Sequence, residues 1–265
     1  GGGYWFDGLA RLGFALHDDA MIQQAKGRLY AVADHMNTDG LLFLWWLDRG
    51  NPDDRKAVVA ALEGWPLWAC GLLGRAMTGF YAGSGDKHIL GALEKAYSGD
   101  PNCLRSITGS VSNLWPAFDA YCWTGNKDIA EALDVMFREE GGGLLPNLNR
   151  YRRAPDLKPG TTVENAHVVE FIESTTPWAV GYLWTGNVHY LQAAVGWHDL
   201  LERIAMQPYG VPVSDEWYGP TGAFRGSETC DVAGYIWSQV CLLAVTGEGR
   251  MGDRLERAFF NAGPA

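Results

Sequence analysis

The sequence predicts an all-α protein assembled from repeated helical hairpins, and three observations support this fold class. Apolar residues recur at three- and four-residue steps along most of the chain, which is typical of amphipathic helices rather than strands. A short glycine-containing turn recurs between these segments. Of the 265 residues, 47% are hydrophobic and 20% are charged, a balance that excludes a disordered chain. Hairpins repeated in this way form a solenoid or, closed on themselves, an (α/α) toroid.

Helical periodicity is clearest in the segment 19–36. There Met21, Ala25, Leu29 and Val32 recur on one face of the predicted helix. We predict helices of the same kind, in chain order, over 4–16, 66–81, 89–97, 111–123, 129–137, 168–184, 190–206, 230–245 and 255–261.

The turn between paired helices has a repeated form, in which an apolar helix end is followed by Gly and then by Asp, Asn or Glu. We expect the Gly to adopt the left-handed conformation and the following Asp or Asn to cap the next helix. The glycines are Gly85, Gly125, Gly186 and Gly247, at spacings of 40, 61 and 61 residues. The wider spacings leave room for two long loops, 141–162 and 207–226, and such loops often carry function. Since no linker interrupts the pattern, we predict one domain, residues 1–265.

Composition excludes two classes of partner. There are 21 basic and 31 acidic residues, a net charge of −10, and no basic run, which argues against nucleic acid. The longest apolar run, 41–47, is far shorter than the roughly 20 residues that cross a bilayer, so no membrane association is expected. The five cysteines are scattered, and no signal peptide is visible, which favours free thiols in a reducing, cytoplasmic compartment. The oligomeric state is left open.

The high tryptophan content is relevant to the functional prediction, and so are the ends of the chain. The 12 Trp residues fit either a large helical core or a sugar-binding cleft, since sugar C–H groups stack on aromatic rings. Tyr4 and Asp7 are candidates to line the mouth of such a cleft.

Because the chain lacks an initiator Met and stops just after a helix, we expect it to be a piece of a longer protein.

Glu228 and Cys230 are the strongest candidates for a metal site. On a regular helix, residues two apart point about 200° away from each other. The two side chains converge only if Ser227 is the N-cap and Glu228 lies in an irregular first turn, where the helix dipole lowers the pKa of a thiol and a carboxyl group. A thiolate and a carboxylate at one point would form half of a zinc site. The alternative is an ordinary first-turn Glu and a buried, inert Cys.

The run Gly-Ser-Glu-Thr-Cys-Asp-Val-Ala-Gly-Tyr-Ile-Trp-Ser at 226–238, followed by 252–261, resembles the bacterial β-L-arabinofuranosidases, glycoside hydrolase family 127, and their relatives. Segments 165–169 (Asn-Ala-His-Val-Val) and 4–12 are similar to other parts of that family. The resemblance implies an (α/α)6-like barrel, truncated at both ends, that forms a partial catalytic domain. It also implies retaining hydrolysis of a terminal sugar.

The resemblance assigns zinc as the cofactor, with Glu228 and Cys230 as two of its ligands. The family's other ligands are two adjacent cysteines further along, one of which is the nucleophile. No Cys-Cys pair occurs in this sequence, so we expect the pair beyond Ala265 and the chain alone to be inactive. Glu216 matches the family's acid/base, and Trp217 beside it is expected to contact the carbohydrate substrate.

Further matches concern substrate binding. His167 and Glu256 match a His and a Glu of the family's active site. One position departs from the pattern, since Gly71 stands where the family's Ala-Gly-His-Leu-Ile segment has its His. This departure suggests a divergent branch, either with another substrate or without the cysteine nucleophile.

Two other functions are compatible with the same residues. One is a metal-free sugar enzyme of the unsaturated glucuronyl hydrolase or polysaccharide lyase type, which would use Glu216 or Glu228. The other is a carbohydrate-binding helical scaffold without catalysis. Zinc content separates the first reading from both alternatives.

Overall fold

The computed structural model describes residues 2–36, 65–98, 112–137, 172, 175–215 and 221–263. Within these ranges the chain forms ten α-helices and no strand, which confirms the all-α prediction. The chain divides into two compact units, Gly1–Gly143 and Leu144–Ala265, called here the first and second units. A single domain, and closure of the hairpins into a toroid, remain predictions.

Within the residues that the structure describes, the first unit contains three helical hairpins arranged in two layers. Helices α1, α3 and α5 pack side by side in one layer, and α2, α4 and α6 form the other, with each hairpin linking the two layers. The alternation follows from the sequence, because the helices of the first layer are apolar on most faces whereas α4 and α6 each bury one apolar stripe. The helices are α1 (Gly2–Leu16), α2 (Asp19–Asp34), α3 (Trp65–Ser84), α4 (Lys87–Tyr97), α5 (Leu114–Thr124) and α6 (Lys127–Phe137).

Glycines on α3 let its neighbours approach closely. A Cβ atom at Gly83 would lie 2.4 Å from the ring of Phe14 on α1. A Cβ atom at Gly71 would lie 2.5 Å from the backbone carbonyl carbon of Ser112. The space at position 71 is therefore closed by backbone, and a His there would not fit this packing.

Two hairpins lie in the described part of the second unit. Helices α7 (Thr175–Thr185) and α8 (Val188–Ile204) form one, α9 (Thr229–Thr246) and α10 (Gly249–Ala262) form the other, and α7 packs against α9. A buried apolar cluster joins α8, α9, α10 and the segment that follows α8; it includes Ile172, Trp197, Leu200, Leu201, Val211, Tyr235 and Ala258.

The turns inside four of the hairpins share one geometry, as the sequence predicts. Each Gly is left-handed, with φ between 65° and 69°. Before it, a Ser or Thr hydroxyl donates to the carbonyl four residues earlier and accepts the N–H that follows the Gly; for Thr124 these distances are 2.7 and 3.2 Å. Asp86, Asn126 and Asn187 then cap the next helix through their side chains. At the fourth turn Glu248 makes no such cap bond and pairs with Arg250 instead.

Among the helices of the described residues, none combines the length and apolar character needed to cross a membrane.

Candidate active site at the start of helix α9

Glu228 and Cys230 meet at the start of α9. Glu228 has extended backbone angles (φ −68°, ψ 146°) and is the N-cap of the helix, so the expectation that Ser227 is the N-cap is wrong. Because Glu228 is not helical, the separation of 200° does not apply to the pair. The Cys230 thiol donates to the Glu228 carboxylate, with Sγ and Oε2 3.2 Å apart.

The electrostatics of this pair differ from the sequence-based expectation. The pKa of the Cys230 thiol is raised to about 11, first by burial and then by the hydrogen bond and negative charge of Glu228. Backbone N–H groups of the first turn act in the opposite direction but are outweighed. The prediction of a lowered thiol pKa is therefore wrong for the metal-free protein, in which Cys230 is a protonated hydrogen-bond donor. A bound cation would reverse this balance, because metals bind the thiolate and release its proton.

The donor set fits part of a zinc site. Zinc accepts thiolate sulfur and carboxylate oxygen, and here one of each lies on an accessible helix end, with Cys230 exposed and Glu228 half-buried. In the residues that the structure describes, no group of three His, Cys, Asp or Glu side chains is close enough together to hold a metal ion. Glu228 and Cys230 thus supply two donors, and the other ligands would have to come from elsewhere.

The turn before α9 is tied to the segment that follows α8. The Ser214 hydroxyl accepts the backbone N–H of Glu228 at 3.0 Å. The Asp215 carboxylate accepts the N–H of Gly226 at 2.9 Å and pairs with Arg225. The hydrogen bond from Gly226 is the main cause that lowers the pKa of Asp215; burial opposes it, and the hydrogen bond and charge of Arg225 lower the pKa further, so this residue remains an anion.

Three of the predicted site residues, His167, Glu216 and Trp217, lie outside the described residues. Asp215, however, directly precedes Glu216 in the chain. Its carboxylate accepts a hydrogen bond from the backbone N–H of Gly226, which lies two residues before Glu228. Their roles in catalysis and substrate binding remain predictions.

Glu256 is exposed on α10. Ala258 is fully buried in the cluster with α9, and Glu256, two residues earlier on the helix, points about 200° away from it. On a third side of α10, Arg254 binds Asp199 of α8, with Nη2 and Oδ1 2.6 Å apart. The structure therefore places Glu256 on the face of α10 that turns away from α9, and its role in substrate binding remains a prediction.

Tyr4 and Asp7 lie in the first unit. Asp7 is buried, and its two carboxylate oxygens accept from the Nε atoms of Arg11 (2.7 Å) and Arg75 (2.8 Å). The Tyr4 ring contacts Trp68 edge-on and lies 5.5 Å from the guanidinium of Arg75. Asp7 is thus engaged in a buried ion-pair network between α1 and α3, and a direct contact with substrate stays a prediction for both residues.

Sequence reasoning missed a carboxyl group in the same layer. Asp119 of α5 has a pKa raised to about 7 by burial, although the positive charge of Arg11 and a hydrogen bond from the Trp115 side chain both lower it. The available signal was a single acidic residue inside the apolar run Leu-Trp-Pro-Ala-Phe-Asp-Ala. Such a carboxyl group exchanges its proton near neutral pH, as residues at functional sites often do.

Comparison with known proteins gives a likeness in structure only. No protein-family model and no curated protein sequence matches this chain. A solved structure described as a glycoside hydrolase matches with a TM-score of 0.63 and 17% identity over 98% of this chain and 45% of its own. The GH127 β-L-arabinofuranosidase from Geobacillus stearothermophilus T6 matches with a TM-score of 0.69 and 14% identity, over 98% and 45%.

A second GH127 β-arabinofuranosidase matches with a TM-score of 0.65 and 15% identity, over 97% of this chain and 43% of its own. This chain therefore spans less than half the length of these three solved proteins. At these identities the likeness establishes a shared helical fold, which confirms the resemblance to family 127 at the level of structure.

Proposed function

We propose that this chain contributes part of the active site of a retaining glycoside hydrolase that releases a terminal sugar, similar to the β-L-arabinofuranosidases. The observation that carries the proposal is the Glu228–Cys230 pair, 3.2 Å apart at the start of a helix, in a fold shared with two GH127 enzymes. The sequence motif and the geometry both support Glu228 and Cys230 as the two metal-binding side chains.

The residues divide into two roles. Retaining hydrolysis needs one group that protonates the leaving oxygen and another that attacks the anomeric carbon. Glu216 is the proposed proton donor, and Glu228 and Cys230 are the proposed zinc ligands. Zinc, when bound, supplies positive charge that stabilises thiolates at neutral pH. The attacking thiolate would come from a cysteine pair of the family pattern, and the 265 residues contain no adjacent cysteines.

Substrate binding involves the remaining predicted residues. His167, Glu256, Trp217, Tyr4 and Asp7 are the proposed carbohydrate contacts. Aromatic rings among them can stack on a sugar face, and the polar groups can fix its hydroxyls.

Metal content is the first measurement to make, by inductively coupled plasma mass spectrometry on the protein purified from its complete gene. We expect about one zinc per chain, as in four-ligand sites with a single metal. Cys230→Ala should abolish zinc binding, whereas Cys241→Ala, which removes a buried thiol from the same helix, should not. A zinc-free wild-type protein would contradict the metal assignment.

Activity separates the proposed enzyme from a binding scaffold. We expect hydrolysis of a β-L-arabinofuranoside and its loss in Glu216→Gln, with binding of the sugar retained. If the wild-type protein binds the sugar without cleaving it, the scaffold alternative is correct.

A further inference from the structure

Two segments of the second unit are joined side by side where α9 begins. The segment 212–215 follows α8, and the segment 225–228 leads into α9. Ser227 donates its hydroxyl to the carbonyl of Pro212 at 2.6 Å, and the N–H of Ser214 donates to the carbonyl of Gly226 at 3.0 Å. Beyond these, the side chains of Ser214 and Asp215 accept backbone N–H groups from Glu228 and Gly226.

Glu228 is an unusual N-cap because of these contacts. An N-cap side chain ordinarily accepts an N–H from the first turn of its own helix. The Glu228 carboxylate makes no such bond and accepts the Cys230 thiol instead. Its own backbone N–H is satisfied by Ser214, whose side chain is fully buried, so the backbone of Glu228 is fixed from outside the helix.

The segment that carries Ser214 is anchored in the core of the second unit. The N–H of Val213 donates to the carbonyl of Ala205 at the end of α8, at 2.7 Å, and Val211 belongs to the buried apolar cluster. Arg225 pairs with Asp215 and holds that carboxylate toward the turn. The position of Glu228 is thereby linked to the core of the second unit rather than to the flexible end of a helix.

We infer that Ser214 and Asp215 are positioning residues, which fix the backbone of residues 226–228 and so aim the Glu228 carboxylate and the Cys230 thiol at one point. This inference rests on the proposed function, in which the pair binds zinc. Asp215 is also the chain neighbour of the proposed proton donor Glu216, so fixing Asp215 fixes the start of the segment that carries Glu216. Groups that orient metal ligands in this way typically change metal affinity 10- to 100-fold when removed.

The test is a titration of the protein from its complete gene with cobalt(II), whose bond to a thiolate gives a charge-transfer absorption band. Ser214→Ala should weaken cobalt binding about 10- to 100-fold, and Asp215→Asn should weaken it in the same direction. Ser214→Thr, which keeps the hydroxyl acceptor, should bind cobalt with an affinity close to that of the wild type. Ser238→Ala is the matched control, because Ser238 is equally buried on α9 but its hydroxyl bonds the carbonyls of Ile172 and Gly234.

Amide hydrogen exchange tests the same contacts without metal. In Ser214→Ala the amide of Glu228 should exchange at least about 10-fold faster, while that of Leu242 in the middle of α9 keeps its protection. Faster exchange together with unchanged cobalt affinity would reduce Ser214 to a structural role and overturn the inference.

If the wild-type protein binds no cobalt, the metal assignment of the proposed function is wrong. The positioning inference is then tested by a measurement that needs no metal. The nuclear Overhauser effect between the side chains of Glu228 and Cys230 reports their contact directly. Its loss in Ser214→Ala but not in Ser238→Ala supports the inference, and its persistence in both overturns it.

Discussion

In the first unit Asp7 is buried between helices in ion pairs with two arginines, whereas in the second unit His198 is buried among neutral partners. Asp7 is 5% exposed and pairs with two arginines, one on α1 and one on α3. His198 of α8 is 1% exposed and lies between Thr175 and Gln239, with its pKa lowered to about 3 by burial and by the charge of Arg254. The nearby charge of Asp199 opposes this but does not outweigh it.

The difference shows what decides the charge state of a buried group. Asp7 receives two directed hydrogen bonds from guanidinium groups, which offset the cost of desolvation. His198 has only neutral partners for its ring nitrogens, so losing its proton is the less costly solution. Asp119 stands between these cases, because it feels the charge of Arg11 yet has a pKa near 7.

The largest effect is expected from breaking the ion-pair network. Asp7→Ala leaves the guanidinium of Arg75, only 15% exposed, without its carboxylate. Removing one partner of a buried pair costs about 3–5 kcal/mol in the free energy of unfolding, measured by chemical denaturation. The control is Glu248→Gln in the second unit, which removes an ion pair with both side chains about half exposed and should cost at most about 1 kcal/mol. Equal losses in the two variants would contradict the assignment.

Asp119 should make the first unit less stable as the pH rises. Its pKa in the folded protein, about 7, exceeds the ordinary value of 3.8, so the folded state binds the extra proton between these values. Stability from this group is present below about pH 4 and is lost as the pH rises to 7, by up to about 4 kcal/mol. Asp119→Asn should remove that dependence and be the more stable protein above pH 7. Parallel stability profiles of wild type and variant from pH 5 to 8 would show that Asp119 titrates normally.

The sequence predicts well what neighbouring residues determine. The left-handed glycines and the caps at Asp86, Asn126 and Asn187 follow from a few adjacent residues, and the structure confirms them. The all-α fold follows from the three- and four-residue steps of the apolar residues.

Features that depend on distant residues could not be predicted in this way. The proton on Asp119 depends on burial among helices and on Arg11, which is 108 residues away in the sequence. At α9 the pattern allowed Glu228 and Cys230 to converge, and the structure brings their side chains together, but the N-cap position depends on Ser214 of another segment. The direction of the thiol pKa was wrong because burial and then the Glu228 carboxylate at 3.2 Å outweigh the backbone N–H groups of the first turn.

His198 supplies the opposite and smallest of the three effects. Because its pKa falls from 6.5 in the unfolded chain to about 3 in the folded protein, the unfolded state binds more protons as the pH drops through that window. Stability from the neutral ring is fully present above about pH 6.5 and should fall by about 3 kcal/mol by pH 4. His198→Gln keeps a donor for Thr175 but cannot titrate, so its free energy of unfolding should fall less between pH 7 and pH 4 than that of the wild type.

The charge state of His198 can also be observed directly. Gln239 donates its amide N–H to Nδ1 at 2.7 Å, which leaves the proton on Nε2 for the hydroxyl of Thr175. The ring nitrogens should therefore keep the chemical shifts of one neutral tautomer from pH 7 down to pH 4, since the bond from Gln239 would have to break before Nδ1 accepts a proton. A ring that titrates near its ordinary pKa of 6.5 would mean that the second unit buries this group as a charge, as the first unit buries Asp7, and the contrast between the two units would fail.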